Sequence, residues 1–551
     1  MNPDATNNAD KATPITNGIQ TNDSVSSKLS DPTTAQNIMF VSAEVQPYSQ
    51  VGGLGTVMDA QPKALAQQGK DVSVISPWYG FIKNQHNDIE EIGSATVRFN
   101  DKDETITIGK KTDENGVTQI FVGHPYFEEE SGKVYTTSAA KCSNEERFAF
   151  FSKASLAAAQ IANIKPDIIQ ANDWHTAYIP ALLKHGKKED LPNNFKAEIP
   201  TVLTIHNAGA RCYQGAQDLD TAIKQLGLPS KTPHLEYGGQ ANAMWAGVGN
   251  ADQVIAVSPN YAKELTDESQ YGSESLPLHK FNDGTFAKDK IVGITNGIDL
   301  DDYAPGTNQD LPQQYDKDDF SGKELSKAAL CDRFNFNPQR PILVSLGRIA
   351  NQKGADTFVE STEKLIEQGW NILICGQADE SSQDIRATIH RKIVDNIDER
   401  KERTVEPDSN FDISQQNIAF YDAFAKGELK SLAFAGADAI IIPSRFEPCG
   451  LTQMEAMRYG TLPIATDTGG LHDTVKDGET GFLFPAPPTA NGIVDACSNA
   501  IEAYQDPEKW QSMIKDAMEK DNSWKHAAEE YTQVYDKLVN ERERERSREL
   551  S

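Results

Sequence analysis

The 551-residue sequence contains no run approaching the roughly 18 consecutive apolar residues of a membrane helix, and its N-terminus lacks a signal peptide's apolar core. These absences predict a cytoplasmic protein with no membrane partner. Positive charge is scarce, with 53 Lys and Arg against 81 Asp and Glu, a formal net charge of -28. Such a chain repels nucleic-acid phosphates and is indifferent to a neutral polymer, so no nucleic-acid partner is expected. The six cysteines, Cys142, Cys212, Cys331, Cys375, Cys449 and Cys497, form no C-x-x-C pair and have no companion histidine cluster. They are expected to be reduced thiols packed as small hydrophobes. No Asp or His set has metal-ligand spacing, and Asp173-Trp174-His175 supplies two ligands at most, so neither a metal nor a cofactor is expected.

Residues 1–36 have no aromatic residue and no Arg, and carry Asp4, Asp10, Asp23 and Asp31. That composition fits neither a transit peptide nor a core, and predicts a disordered tail. From Asn37 short apolar runs alternate with helical stretches: NIMFVSAEV, DVSVISPW, PDIIQAND, PTVLTIHN and ADQVIAVS. The runs are too continuous for strands wet on one face, which predicts a parallel sheet covered on both sides. After a polar stretch over 300–320 the pattern restarts with PILVSLGRI, NILICGQ, NIAFYDAF, ADAIIIPS and TLPIATDTGG. The expected architecture is α/β, with two Rossmann-like doubly wound domains over 37–310 and 311–510 facing across a cleft. Residues 511–551 read as a C-terminal helix and charged tail, ending in ERERERSREL, whose alternating charges suit a solvated helix end.

In doubly wound sheets ligands sit beyond the carboxyl ends of the strands, where the polar motifs of this chain fall. Gln50-Val51-Gly52-Gly53-Leu54 follows the first strand, and Thr468-Gly469-Gly470-Leu471 follows a strand of the second half. Paired glycines between strand and helix let a backbone approach a ligand closely, and one such loop per domain suits a sugar diphosphate. Arg348 and Lys353, five apart on another strand-end loop, can converge on a diphosphate and supply the charge its departure requires. In Ser444-Arg445-Phe446-Glu447-Pro448-Cys449-Gly450-Leu451-Thr452 an acidic residue precedes a helix start. Asp173 and His175 end one strand of the first half and His206 ends the next, placing carboxylate and imidazole groups where sugar hydroxyls can bind.

Together these elements resemble the glycogen and starch synthase family of retaining GT-B glycosyltransferases. The matching strings are VGGL, NDWH, TIHN, GITNGID, RIANQKG, PSRFEPCGLTQ, RYGTLP and TGGLHDTV, with DNSW near the end. The resemblance implies transfer of glucose from ADP-glucose or UDP-glucose to the non-reducing end of an α-1,4-glucan, with retained configuration and no metal. Under it, Arg348 and Lys353 bind the diphosphate, and Glu447 holds glucosyl hydroxyls or stabilises charge developing at the anomeric carbon. His206 meets the transferred glucose through its backbone or side chain, and Asp173 and His175 contact acceptor or sugar. Asn242 matches a position near the donor, the amides around Gly53 and Gly470 clamp phosphate, and Tyr421 is the candidate for stacking on the nucleotide. The chain departs from the family pattern where Lys is replaced by Gln50 and Asp by Thr56, and where Glu455 completes a Glu-x7-Glu spacing with Glu447. These departures open two alternatives, a transferase of the same fold with another donor or acceptor, and a catalytically silent glucan-binding protein.

Overall fold

The computed structural model describes residues 34–128, 133–135, 142–193, 195, 198–208, 215–267, 290–403 and 417–550. The tail expected over 1–36 lies, up to residue 33, outside the described residues, as does Cys212.

The first five apolar runs form β1 (Asn37–Val41), β2 (Asp71–Pro77), β6 (Ile168–Asn172), β7 (Thr201–Ile205) and β11 (Gln253–Ala256), buried along nearly their whole length. That burial is why their sequences do not alternate. Three further strands, β3 (Glu90–Phe99), β4 (Lys102–Thr112) and β5 (Thr118–Gly123), extend the sheet at one edge, and β12 (Ile291–Gly293) closes the other. The order is β12-β11-β7-β6-β1-β2-β5-β4-β3, parallel except where β4 runs antiparallel to both β5 and β3. Much of β3 is wet, so its residues carry no continuous apolar signal. Short strands at Ala216–Gln217, Glu236–Tyr237 and Gln240–Asn242, β8 to β10 in chain order, make a separate antiparallel sheet.

The second series of runs forms β13 (Ile342–Leu346), β14 (Asn371–Cys375), β15 (Ile418–Tyr421), β16 (Ala439–Ile442) and β17 (Leu462–Asp467), joined by β18 (Phe482–Pro485). All six are parallel, in the order β15-β14-β13-β16-β17-β18. Strand order reverses beside β1 in the first sheet and beside β13 in the second, and each reversal opens a crevice at the strands' carboxyl ends. The loops after β1, β6 and β7 border the first crevice, and those after β13 and β16 the second.

The helix Trp524–Glu549 returns to the first domain. Its buried Ala527, Ala528, Tyr531, Tyr535, Leu538 and Val539 recur at helical spacing. Tyr535 donates its hydroxyl hydrogen bond to Gln170, Asp536 accepts from the Ala35 amide at 2.8 Å, and Arg542 pairs with Asp252 at 2.9 Å. Arg542 also makes an i,i+3 pair with Glu545 at 2.9 Å within the charged end. Among the described residues no helix is long and apolar enough to cross a membrane.

Candidate active site

A cavity of about 730 Å³ is walled on one side by the ends of β1, β6 and β7 and on the other by the ends of β13 and β16. On the first side Asp173 holds a left-handed φ of 55°, a conformation Asp tolerates better than most residues. The turn lets its Oδ1 accept from the backbone amides of His206 at 2.7 Å and Asn207 at 3.3 Å. Burial pushes the Asp173 carboxyl up to about 7, against the lowering effect of those two amides. His206 Nε2 lies 3.0 Å from Asn172 Oδ1. The Asn172 amide is fixed the right way round because its Nδ2 donates to the Val41 carbonyl, so His206 carries its proton on Nε2 and leaves Nδ1 an acceptor. His175 is enclosed by the rings of Tyr135, Phe148 and Trp174, and among the described residues neither of its ring nitrogens has a hydrogen-bond partner. Burial holds both histidines down near 3, so both are neutral imidazoles at pH 7. This wall presents two uncharged imidazoles beside a buried carboxyl in a dry setting.

The second wall is charged. Arg348, exposed at the end of β13, donates to Gln352 at 3.3 Å. Lys353 reaches across to Glu447, its Nζ 2.5 Å from Oε2, and the Ser444 hydroxyl donates to the same oxygen at 2.8 Å. Gly354 is what lets this loop lie so close to β16: a Cβ there would stand 1.9 Å from the Pro443 carbonyl oxygen, and its φ is +63°. Glu455, buried in the first turn of the helix Thr452–Arg458, pairs with Lys430 at 3.0 Å, and both line the cavity. Cys449 is also on the wall, but burial pushes its thiol up to about 12, which keeps it protonated and a poor nucleophile.

Not every residue singled out from the sequence reaches the cavity. Tyr421, at the end of β15, is not on the wall, whereas Phe424, three residues on, is there with Phe358 and Phe434. Asn242 caps the helix Ala243–Asn250, its Oδ1 accepting from the Trp245 amide at 2.9 Å, and is likewise off the wall. Gly52 and Gly53 are on it, but the amides of Val51 and Gly52 already donate to Glu44 Oε2, at 2.6 and 3.0 Å. Glu44, a buried wall residue that the sequence did not mark, also accepts from the Tyr135 hydroxyl at 2.7 Å. In the second glycine loop the Gly469 amide donates to Glu264 at 2.7 Å and the Gly470 amide to the Glu447 carbonyl at 3.0 Å. The expected amide clamps are thus engaged within the protein at Val51, Gly52, Gly469 and Gly470. Gln50 and Thr56 meet at the surface, where Gln50 Nε2 donates to the Thr56 hydroxyl at 2.8 Å.

A family profile described as the starch synthase catalytic domain matches residues 37–277, and one described as glycosyl transferases group 1 matches residues 327–519. The glycogen synthase of Thermodesulfovibrio yellowstonii is 33% identical over 527 residues, covering 92% of this chain and 99% of that one. The chain belongs to the glycogen synthase family. The glycogen synthase of Streptococcus pneumoniae is 34% identical, with 91% of this chain and 100% of that one covered. The catalytic domain of starch synthase IV from Arabidopsis thaliana, solved with ADP and acarbose, superposes with a TM-score of 0.76 at 27% identity, covering 92% of this chain and all of that domain. The fold is GT-B and the protein is a glycosyltransferase. The two profile matches divide the site as the cavity does: Asp173, His175 and His206 fall in the first, and Arg348, Lys353, Glu447 and Glu455 in the second.

Proposed function

We propose that the chain transfers glucose from ADP-glucose or UDP-glucose to the non-reducing end of an α-1,4-glucan with retained configuration. The observation that carries this reading is one cavity with a buried wall bearing Asp173 and two uncharged imidazoles and a second wall bearing Arg348, Lys353 and Glu447. In the reaction the bond between glucosyl C1 and the diphosphate oxygen breaks, a bond from C1 to the acceptor hydroxyl oxygen forms, and the hydroxyl proton leaves with the nucleoside diphosphate. Arg348 and Lys353 hold the departing charge, and Glu447 faces the glucosyl unit where positive charge develops. Lys353 serves both roles, since its ammonium pairs with that carboxylate and faces the same cavity. Asp173, His175 and His206 receive sugar hydroxyls, a task for which neutral imidazoles with open nitrogen acceptors are suited.

Among the described residues no group of three or more His, Cys, Asp and Glu side chains is placed to hold a metal ion. Fixed cations do that work in this reading, and activity is expected to survive EDTA. ADP-glucose is the donor to try first, because the starch synthase IV domain was solved with ADP. The Gln50–Thr56 hydrogen bond favours a second reading, the same chemistry with an altered donor or acceptor. The deciding experiment incubates purified protein with ADP-glucose, UDP-glucose and other sugar nucleotides, with and without glycogen, and measures released nucleoside diphosphate. Glycogen-dependent release from a glucosyl donor supports the first reading, release only from another sugar nucleotide supports the second, and no release from any donor refutes both.

A further inference from the structure

Glu264 lies in the helix Pro259–Thr266 of the first domain, yet its bonds reach into the second. Its Oε1 accepts from the Gly469 amide at 2.7 Å, the Thr468 hydroxyl at 3.2 Å and the Asn260 side-chain amide at 2.8 Å. The carboxylate is 4% exposed and is not on the cavity wall. The turn it grips is in turn bonded to Glu447, because the Gly470 amide donates to the Glu447 carbonyl at 3.0 Å. The approach is close enough that a Cβ on Gly469 would stand 1.9 Å from that same carbonyl oxygen. Two more bonds tie the helix to this region, from the Asn260 amide to Asp473 at 2.8 Å and from the Ser258 hydroxyl to the Pro448 carbonyl at 2.7 Å. A continuous path of short contacts therefore runs from a first-domain carboxylate to the backbone of the second domain's site glutamate.

We propose that Glu264 is a positioning residue for the transfer reaction: by gripping Thr468 and Gly469 it fixes the turn that holds Glu447 in place, so that docking of the two domains completes the site. The inference rests on the reading of Glu447 given above. What the turn requires of residue 264 is an oxygen acceptor at that distance, and the negative charge is secondary. Gln keeps such an oxygen in reach, whereas Asp keeps the charge and withdraws the oxygen by one carbon–carbon bond.

The test compares Glu264→Gln, Glu264→Asp, Glu447→Gln and the double variant Glu264→Asp with Glu447→Gln, measuring kcat, donor KM, ADP and UDP dissociation constants and melting temperature. Displacement of a reacting group by a fraction of an ångström costs on the order of tenfold or more in rate. E264D is expected to lose at least about tenfold in kcat with ADP or UDP affinity within about twofold, and E264Q to stay within about threefold of the parent on the same grounds. In the E447Q background E264D should add little further loss, as residues acting through one group are non-additive. Full kcat in E264D with only a lower melting temperature would mean a purely structural role and overturn the proposal, as would E264Q failing as badly as E264D. Either result leaves the assignment of Glu447 intact. Full turnover in E447Q would instead remove that assignment and the positioning role with it.

Discussion

The two walls of the cavity are built from the same device, loops beyond the ends of parallel strands, yet they differ in solvation. Asp173, His175 and His206 are 6%, 3% and 9% exposed, and burial holds the two imidazoles uncharged. Arg348 is exposed and the Lys353 side chain is 32% exposed. Neutral groups tolerate desolvation if a ligand later satisfies them, whereas burying a cation costs far more, and these two stay at the water-accessible side. The contrast matches the two halves of a sugar nucleotide, a neutral hydroxyl-rich ring and a charged diphosphate, and it can be broken one wall at a time.

The largest effect is expected at Glu447. Glu447→Gln should lower turnover by about a hundredfold or more while leaving ADP or UDP affinity close to the parent's, because in the proposed reaction the carboxylate serves the sugar and not the phosphates. More than about half the activity remaining would show the charged wall works without it. Arg348→Ala and Lys353→Ala come next, each expected to cost about tenfold to a hundredfold in kcat/KM and to weaken nucleoside diphosphate binding, the scale of a lost charge-assisted hydrogen bond. Lys353→Ala should be the worse of the two because it also strips Glu447 of its ion-pair partner. Calorimetric titration with ADP and UDP is the check, and unchanged affinity in both variants would remove the diphosphate role.

A smaller change is expected at the rim. Gln50 and Thr56 satisfy each other through one neutral hydrogen bond, so a cation or an anion introduced alone meets an uncharged partner there. Gln50→Lys with Thr56→Asp is expected to outperform either single change with ADP-glucose, by up to about tenfold in kcat/KM. If the singles and the double all reduce activity with every glucosyl donor, the altered-donor reading gains.

The smallest effect concerns pH and sharpens the contrast in solvation. A histidine held near 3 when folded and near 6.5 when unfolded makes the unfolded chain the stronger proton binder between those values. The stability each contributes is therefore present above 6.5 and lost as pH falls towards 3. Asp173 works the other way: its folded value near 7 lies above the usual 3.8, so its contribution is lost as pH rises through 7. His175→Phe, which suits a site lined by three aromatic rings, should make the acid-side fall in the urea midpoint shallower, and Asp173→Asn should make it steeper. Parallel profiles for His175→Phe and the parent would show that this imidazole is not desolvated as described.

Ten apolar runs became ten parallel strands because a strand buried on both faces must be apolar throughout, a requirement written in consecutive residues. The strand-end positions of Arg348, Lys353, Glu447, Asp173, His175 and His206 followed from the same pattern. The β3–β4 hairpin left no comparable trace, since a strand with one wet face needs no continuous apolar run. Tyr421 illustrates a finer limit. Its place after an apolar run was legible, but which ring of Tyr421 and Phe424 lines the cavity depends on the path of the chain beyond β15. The glycine loops were legible as turns of close approach, but the acceptors of their amides were not. Glu44 is joined to Tyr135 across 91 positions and Glu264 to Gly469 across 205. Local composition determined which segments are buried and where the polar ends fall. Which carboxylate meets which amide was decided by tertiary packing, within the first domain for Glu44 and between the two domains for Glu264, because a hydrogen bond depends on position in space and leaves no periodicity in the chain.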